Sequence, residues 1–277
     1  MKPFHERLGV CSWSLLADDS ENLVELLLQT GLSRLQIDLD AIRCFPEKWN
    51  SLRSHCEKKD VHILSGMFRC VGEDYSTLES IRRTGGLLPD ETWQDTWETA
   101  QAAADIAFEM SLKLVSFHAG FIPEDESDPS FEKLLHRMRL LADYFASKNI
   151  DLALETGQET AKCLKHFLEK LGRINVGVNF DPANMLMYGT GNPVEAISIL
   201  GPFITQCHIK DGTLPCETGT FGEEVVVGQG QVSWPAFFQS LGEQHFSGFL
   251  FVERETGKSR VGDIHQAKQV IEDVVGV

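Results

Sequence analysis

Gln206-Cys207-His208-Ile209-Lys210-Asp211-Gly212 reads as the end of a buried strand passing into a turn. Residues 204–209 are mostly apolar, and Asp211-Gly212 is a turn signal. Side chains alternate along a strand, so His208 and Lys210 share one side of it. A histidine beside a lysine is costly to bury. In barrels of parallel strands, working groups of this kind gather at the C-terminal ends of the strands.

Moving outward from this stretch, strand-like and helix-like segments alternate along the whole chain. The pattern predicts strands near 8–12, 35–39, 61–68, 114–118, 150–155, 176–181, 204–209 and 248–252. Helices are expected near 22–29, 47–59, 91–109, 131–148, 159–171, 193–200, 234–241 and 264–274. Eight strand–helix units predict an α/β fold, a (β/α)8 or TIM barrel, in one domain over 1–277. Two long segments, near 71–90 and 212–231, are expected as loop insertions at the catalytic face. A doubly wound sheet is the alternative, but no GxGxxG follows the first strand.

The totals narrow the partners. Of the 277 residues 42% are hydrophobic and 24% charged, ordinary globular values. The net charge of −16, with no Lys/Arg-rich run, argues against a nucleic-acid partner. The seven cysteines (11, 44, 56, 70, 163, 207 and 216) are odd in number and form no CxxC pair. Reduced thiols in the cytoplasm are the expectation. Residues 1–10 contain no apolar signal-peptide core, and no apolar run approaches a membrane span.

The late strands end in groups that bind metals or move protons. Strand five ends at Glu155, strand six at Asp181, strand seven carries His208, and strand eight runs into Glu253. Glu155 to Asp181 is 26 residues and Asp181 to His208 is 27, one strand–helix unit each time. His208 to Glu253 is 45, and the 212–231 excursion accounts for the excess. Equal steps put the four groups at equivalent places on neighbouring strands, converging on the barrel mouth. Two glutamates, an aspartate and a histidine form a hard, oxygen-rich set suited to one divalent ion, Mn²⁺, Mg²⁺, Co²⁺ or Zn²⁺. Without a cation, three convergent carboxylates repel one another.

A barrel with this quartet resembles the xylose-isomerase-like family of sugar isomerases and epimerases. The resemblance rests on Ala-Leu-Glu155, Phe-Asp181-Pro-Ala-Asn184, His208-Ile-Lys210-Asp211, Gly228-Gln-Gly230-Gln-Val-Ser-Trp and Val-Glu253. It implies Glu155, Asp181, His208 and Glu253 as metal ligands, with Glu155 and Glu253 also the acid/base pair. The implied activity is isomerisation or epimerisation of a small sugar, sugar phosphate or cyclitol through a metal-stabilised enediolate. Dehydration of a keto-cyclitol shares the same α-proton step and is the alternative. Phosphodiester hydrolysis, as in the related endonuclease IV group, is disfavoured by Asn184, by the lack of an Asp-x-His after Lys210-Asp211, and by the charge. Barrels of this family often pair, so a homo-oligomer is also implied.

Other residues are expected at the substrate. His118 stands in Val-Ser-Phe-His118-Ala-Gly, which resembles the family's His-Pro-Gly segment with Ala119 for proline. Lys210, Asn184 and Trp13 are expected to face the pocket, with Phe68 as a further wall. Arg82 and Arg83 would clamp a carboxylate or phosphate if their loop folds over the mouth. Arg254, Lys258 and Arg260 follow strand eight, near the common barrel phosphate site.

Overall fold

The computed structural model describes residues 3–217 and 219–276. Eight parallel strands close into a barrel: β1 Leu8–Cys11, β2 Arg34–Asp38, β3 His62–Met67, β4 Leu114–Phe117, β5 Asp151–Glu155, β6 Val176–Phe180, β7 Ile204–Ile209 and β10 Phe249–Val252. They pair in chain order, and β10 closes the ring on β1, with Leu8 opposite Leu250. Two short strands, β8 Asp211–Gly212 and β9 Glu224–Val225, form a separate antiparallel pair within the excursion after β7. The predicted barrel is therefore the observed one.

Helices pack their apolar stripes on the outside of the barrel. α7, Pro129–Ser147, buries Phe131, Leu134, Leu135, Met138, Leu141 and Phe145 at helical spacing. Asp128 accepts from the Ser130 N–H to begin it, with Pro129 at the first helical position. α8, Ala161–Leu171, starts on the Thr160 hydroxyl and stops at Gly172 in the left-handed region. Burying one such leucine or phenylalanine is worth about 1.5–3 kcal/mol.

The strands are buried on both faces, and their inward residues are partly polar. Alternation sends Cys207 and Ile209 outward, and Gln206, His208 and Lys210 inward. Inside, Ser65 Oγ donates to Gln206 Oε1 (2.6 Å), and Gln206 Nε2 donates to Asn179 Oδ1 (3.1 Å). Gln36 Nε2 donates to Ser116 Oγ (2.8 Å). A buried polar layer of this sort is tolerable because its members pair with one another. Phe251, opposite His208 in the register, is fully buried. Gly9 makes room for that ring, since a Cβ there would lie 2.8 Å from it.

Several boundaries differ from the sequence reading. The expected helix over 47–59 is two pieces, α3 Pro46–Trp49 and α4 Leu52–Lys58; a separate short helix, α2 Leu39–Cys44, precedes them and ends before Pro46, which cannot continue it. The 71–90 segment carries its own helix, α5 Leu78–Thr84, begun by the Thr77 hydroxyl on the Ser80 N–H. The helix after it, α6, runs over Asp90–Glu109. A further short helix, α9 Pro182–Tyr188, follows β6 at once, and α10 Pro193–Leu200 completes that unit. The last two helices are α11 Trp234–Glu243 and α12 Arg260–Val275. No helix among the described residues is long and apolar enough to cross a membrane.

Candidate metal centre and active site

The four groups singled out by spacing meet at the C-terminal end of the barrel. One ligand atom from each of Glu155, Asp181, His208 and Glu253 lies within 4.8 Å of the others. All four residues are buried. His208 Nδ1 is 3.2 Å from Glu155 Oε1, 3.3 Å from Glu253 Oε2 and 3.8 Å from Asp181 Oδ2.

The chain holds each ligand from behind. His208 Nε2 sits 2.7 Å from Gln36 Oε1 and 3.1 Å from Asn179 Nδ2; with the hydrogen on Nε2 and donated to Gln36, Nδ1 keeps a free lone pair. Asp181 caps α9: its Oδ1 accepts from the N–H groups of Ala183 (2.8 Å) and Asn184 (2.9 Å). Its other oxygen, Oδ2, has no hydrogen-bond partner, and neither has His208 Nδ1. Two orphaned, fully buried acceptors aimed at one point are costly in a dry site. A divalent ion satisfies both, so the residues fit the group that their types suggest.

Each glutamate is clamped on both oxygens. Glu155 accepts from Asn184 Nδ2 on Oε1 (3.0 Å) and from Asn179 Nδ2 on Oε2 (3.2 Å). Glu253 accepts from Trp13 Nε1 on Oε1 (2.8 Å) and from Lys210 Nζ on Oε2 (3.0 Å). Such double holds fix the carboxylates to a geometry before anything binds.

The electrostatics follow from this crowding. Burial pushes Asp181 up to about 6, with Lys210 opposing. Burial would raise Glu253 too, but the charges of Lys210 and His208 hold it well below the usual carboxylate range. Burial works against charge on His208, yet Glu155, Cys11 and Glu253 raise its basicity well above the ordinary value. The site thus calls for positive charge, either a proton or a metal, and the two compete.

Above the cluster opens a cavity of about 490 Å³, the size of a small-molecule site. Trp13, His118, Asn184 and Lys210 line it, as the sequence suggests. His118 Nε2 stands 3.7 Å from Glu155 Oε1. Lys210 is not free: it is paired with Glu253 and with Glu255.

Three expectations are corrected. Arg83 is exposed and does not line the cavity. It lies on α5, which is anchored by buried Ile81; the helical turn carries Arg83 away, and Arg82 packs over the Phe121 ring. Phe68 is not a pocket wall. Alternation points Met67 at the cavity and Phe68 outward, where it stacks on Phe117 at 4.8 Å. Arg254 and Arg260 are not open to an anion: Arg254 pairs with Glu224 and Asp263, and Arg260 donates to the carbonyls of Arg254 and Glu255.

Sequence reasoning passed over other groups at the site. Arg69 and Tyr75 come from the segment after β3, and Tyr188 from the end of α9. Asn179 and Gln36 support the ligands from inside the barrel. Their inward phase was readable from strand alternation, since Asn179 and Gln36 each stand two residues before a carboxylate facing the mouth.

Known proteins agree with this architecture. A xylose isomerase domain protein from Planctomyces limnophilus is 28% identical, with a TM-score of 0.82 over 91% of each chain. A D-allulose 3-epimerase from Methylomonas sp., solved with D-allulose, is 15% identical, with a TM-score of 0.72 over 99% of this chain and 98% of its own. A xylose isomerase-like TIM barrel protein from Mycobacterium smegmatis, solved with magnesium, is 14% identical, with a TM-score of 0.71 over 99% of this chain and 98% of its own. An uncharacterised protein of Methanocaldococcus jannaschii is 23% identical, the match covering 66% of this chain and 63% of that relative. The family model of xylose isomerase-like TIM barrels matches residues 23–274, and the chain belongs to that family.

Proposed function

We propose that the chain is a divalent-metal-dependent isomerase or epimerase of a small sugar or cyclitol. The observation that carries this reading is the facing pair Glu155 and Glu253, each doubly clamped, around two orphaned ligand atoms. A bound ion would polarise a substrate carbonyl and stabilise the enediolate left when the α-proton departs. The family membership and the fold shared with a D-allulose 3-epimerase support it.

In this reading one glutamate takes the α-proton and the other returns one on a different face or carbon. Proton transfer by a positioned carboxylate contributes typically about 10²–10⁴-fold in rate. Lys210 and Trp13 keep Glu253 ionised and aimed. Asn184 and Asn179 aim Glu155, while, against burial, the neighbouring His208 and His118 favour its charge. His118, in reach of Glu155, holds a substrate hydroxyl, and Trp13 offers its ring to the sugar's apolar face.

The test is hydrogen exchange in D₂O. The metal-loaded protein, mixed with free ketoses and inososes, exchanges the substrate α-hydrogen, and a chelator stops it. Glu253→Gln lowers the exchange rate about 10²–10⁴-fold with the fold retained. Exchange at the parent rate in that variant, or exchange indifferent to chelation, overturns the reading. The product then separates isomerase or epimerase from dehydratase.

A further inference from the structure

We propose that Glu224 is a built-in anion occupying the barrel's phosphate position, so that the substrate enters without a phosphate at that end. Residues 254–256 directly follow β10, the eighth strand of the barrel. Loops after the last two strands are where such barrels commonly hold phosphate. Here that place is full. The Glu255 N–H donates to Glu224 Oε1 (3.0 Å) and Oε2 (3.2 Å), and the Thr256 N–H donates to Oε2 (3.0 Å). Arg254 Nη1 donates to Oε1 at 2.7 Å. A guanidinium beside two successive backbone amides is the donor set that a phosphate would take. The Glu224 side chain is 4% exposed, so it is seated rather than resting on the surface.

The chain delivers this carboxylate rigidly. Gly212 pairs with Glu224 in the β8–β9 ladder, and the Thr213 N–H donates to the Glu223 carbonyl at 2.9 Å. Among the described residues, no buried and unpaired lysine or arginine at the cavity replaces the filled site. Lys210 is shared by Glu253 and Glu255. Arg69 sits at the rim, its side chain 64% exposed, 3.6 Å from Asp38 and 4.0 Å from Asp40. Arg254 also pairs with Asp263 at 2.9 Å. Asp38, Glu224 and Glu255 add negative charge to the cavity wall. A phosphate ester would meet these carboxylates with Lys210 and Arg254 already engaged and only the solvent-exposed Arg69 at the rim, whereas a neutral polyol meets hydrogen-bond acceptors.

The filled anion site stands on geometry alone; the consequence for the substrate rests on the sugar reading above. Two measurements separate them. Inorganic phosphate is titrated into the full chain at constant ionic strength, following the backbone amides of Glu255 and Thr256 by NMR. The parent's amides stay still. Glu224→Ala binds phosphate there at least tenfold more tightly than the parent, and Glu224→Gln, which keeps the shape and loses the charge, also gains affinity. Binding of phosphate at those amides in the parent, or no gain in either variant, overturns the proposal. The second measurement runs α-hydrogen exchange on pairs of free sugar and phosphate ester. A free sugar exchanging at least 100-fold faster than its ester supports the proposal. A faster ester overturns the substrate half while upholding sugar chemistry. Exchange with neither member of any pair is a failure of the sugar reading, and the phosphate titration then decides the anion site by itself.

Discussion

His208 is the residue on which the centre turns. It gives the ligand set its one nitrogen, and Gln36 fixes which ring nitrogen that is. His208→Ala removes a ligand and leaves the three carboxylates facing one another. Losing a group that only supports a ligand typically costs 10–100-fold in metal affinity. We therefore expect the loss here to exceed about 100-fold, read as metal content after dialysis. Parent-like content in the variant would place the ion elsewhere. The residue types of this quartet were legible in the sequence because equal steps of 26 and 27 residues betray equivalent strand positions. The supporting shell was harder to read. Tyr75 and Arg69 reach the cavity from an irregular segment, where no period tells which way a side chain points.

At the scale of elements, the excursion after β7 is organised by one carboxylate. Asp211 accepts from the N–H groups of Gly228 (2.9 Å), Gly230 (3.2 Å) and Val232 (3.2 Å) and from Trp234 Nε1 (3.1 Å). Gly230 is a glycine for this reason: a Cβ there would lie 2.1 Å from Asp211 Oδ1. The Gly228-to-Trp234 run that carried the family resemblance is thus the receptor for Asp211. Hydrogen bonds to a charged group are worth about 1.5–3 kcal/mol each, and they are not additive. Asp211→Ala should cost about 3–5 kcal/mol of unfolding free energy and loosen the strand that presents Glu224. Denaturant unfolding checks this; a change below 1 kcal/mol would mean that the loop holds without its clasp. The strands themselves were readable from apolar runs bounded by turns. The short helices α5 and α9 were not, because one or two turns of helix show too little period.

For the molecule as a whole, the clearest pH signature comes from Glu159, in the turn between β5 and α8. Burial pushes its carboxyl up to about 8. The unfolded chain releases that proton near the ordinary value of 4.5, so between 4.5 and about 8 the folded state holds a proton that the unfolded state lacks. Stability then falls as pH rises through that window and levels off above it. At about 1.4 kcal/mol per unit, the parent should lose on the order of 3 kcal/mol between pH 5.5 and 8 relative to Glu159→Gln. Urea midpoints across that range measure it; parallel curves for parent and variant would refute the assignment.

The closure of the barrel has a consequence for how the protein acquires its chemistry. The ring is sealed by β10 lying against β1, and the Trp13–Glu253 hydrogen bond joins residues 240 positions apart. Contacts of such long sequence separation are late and slow to form, because the entropy of closing the intervening loop must be met first. The fourth ligand of the quartet, Glu253, therefore arrives with the final strand. The four ligand strands β5, β6, β7 and β10 are neighbours in the sheet, so closing the ring is what should curve their groups onto one point, and tight metal binding is expected to be gained together with barrel closure.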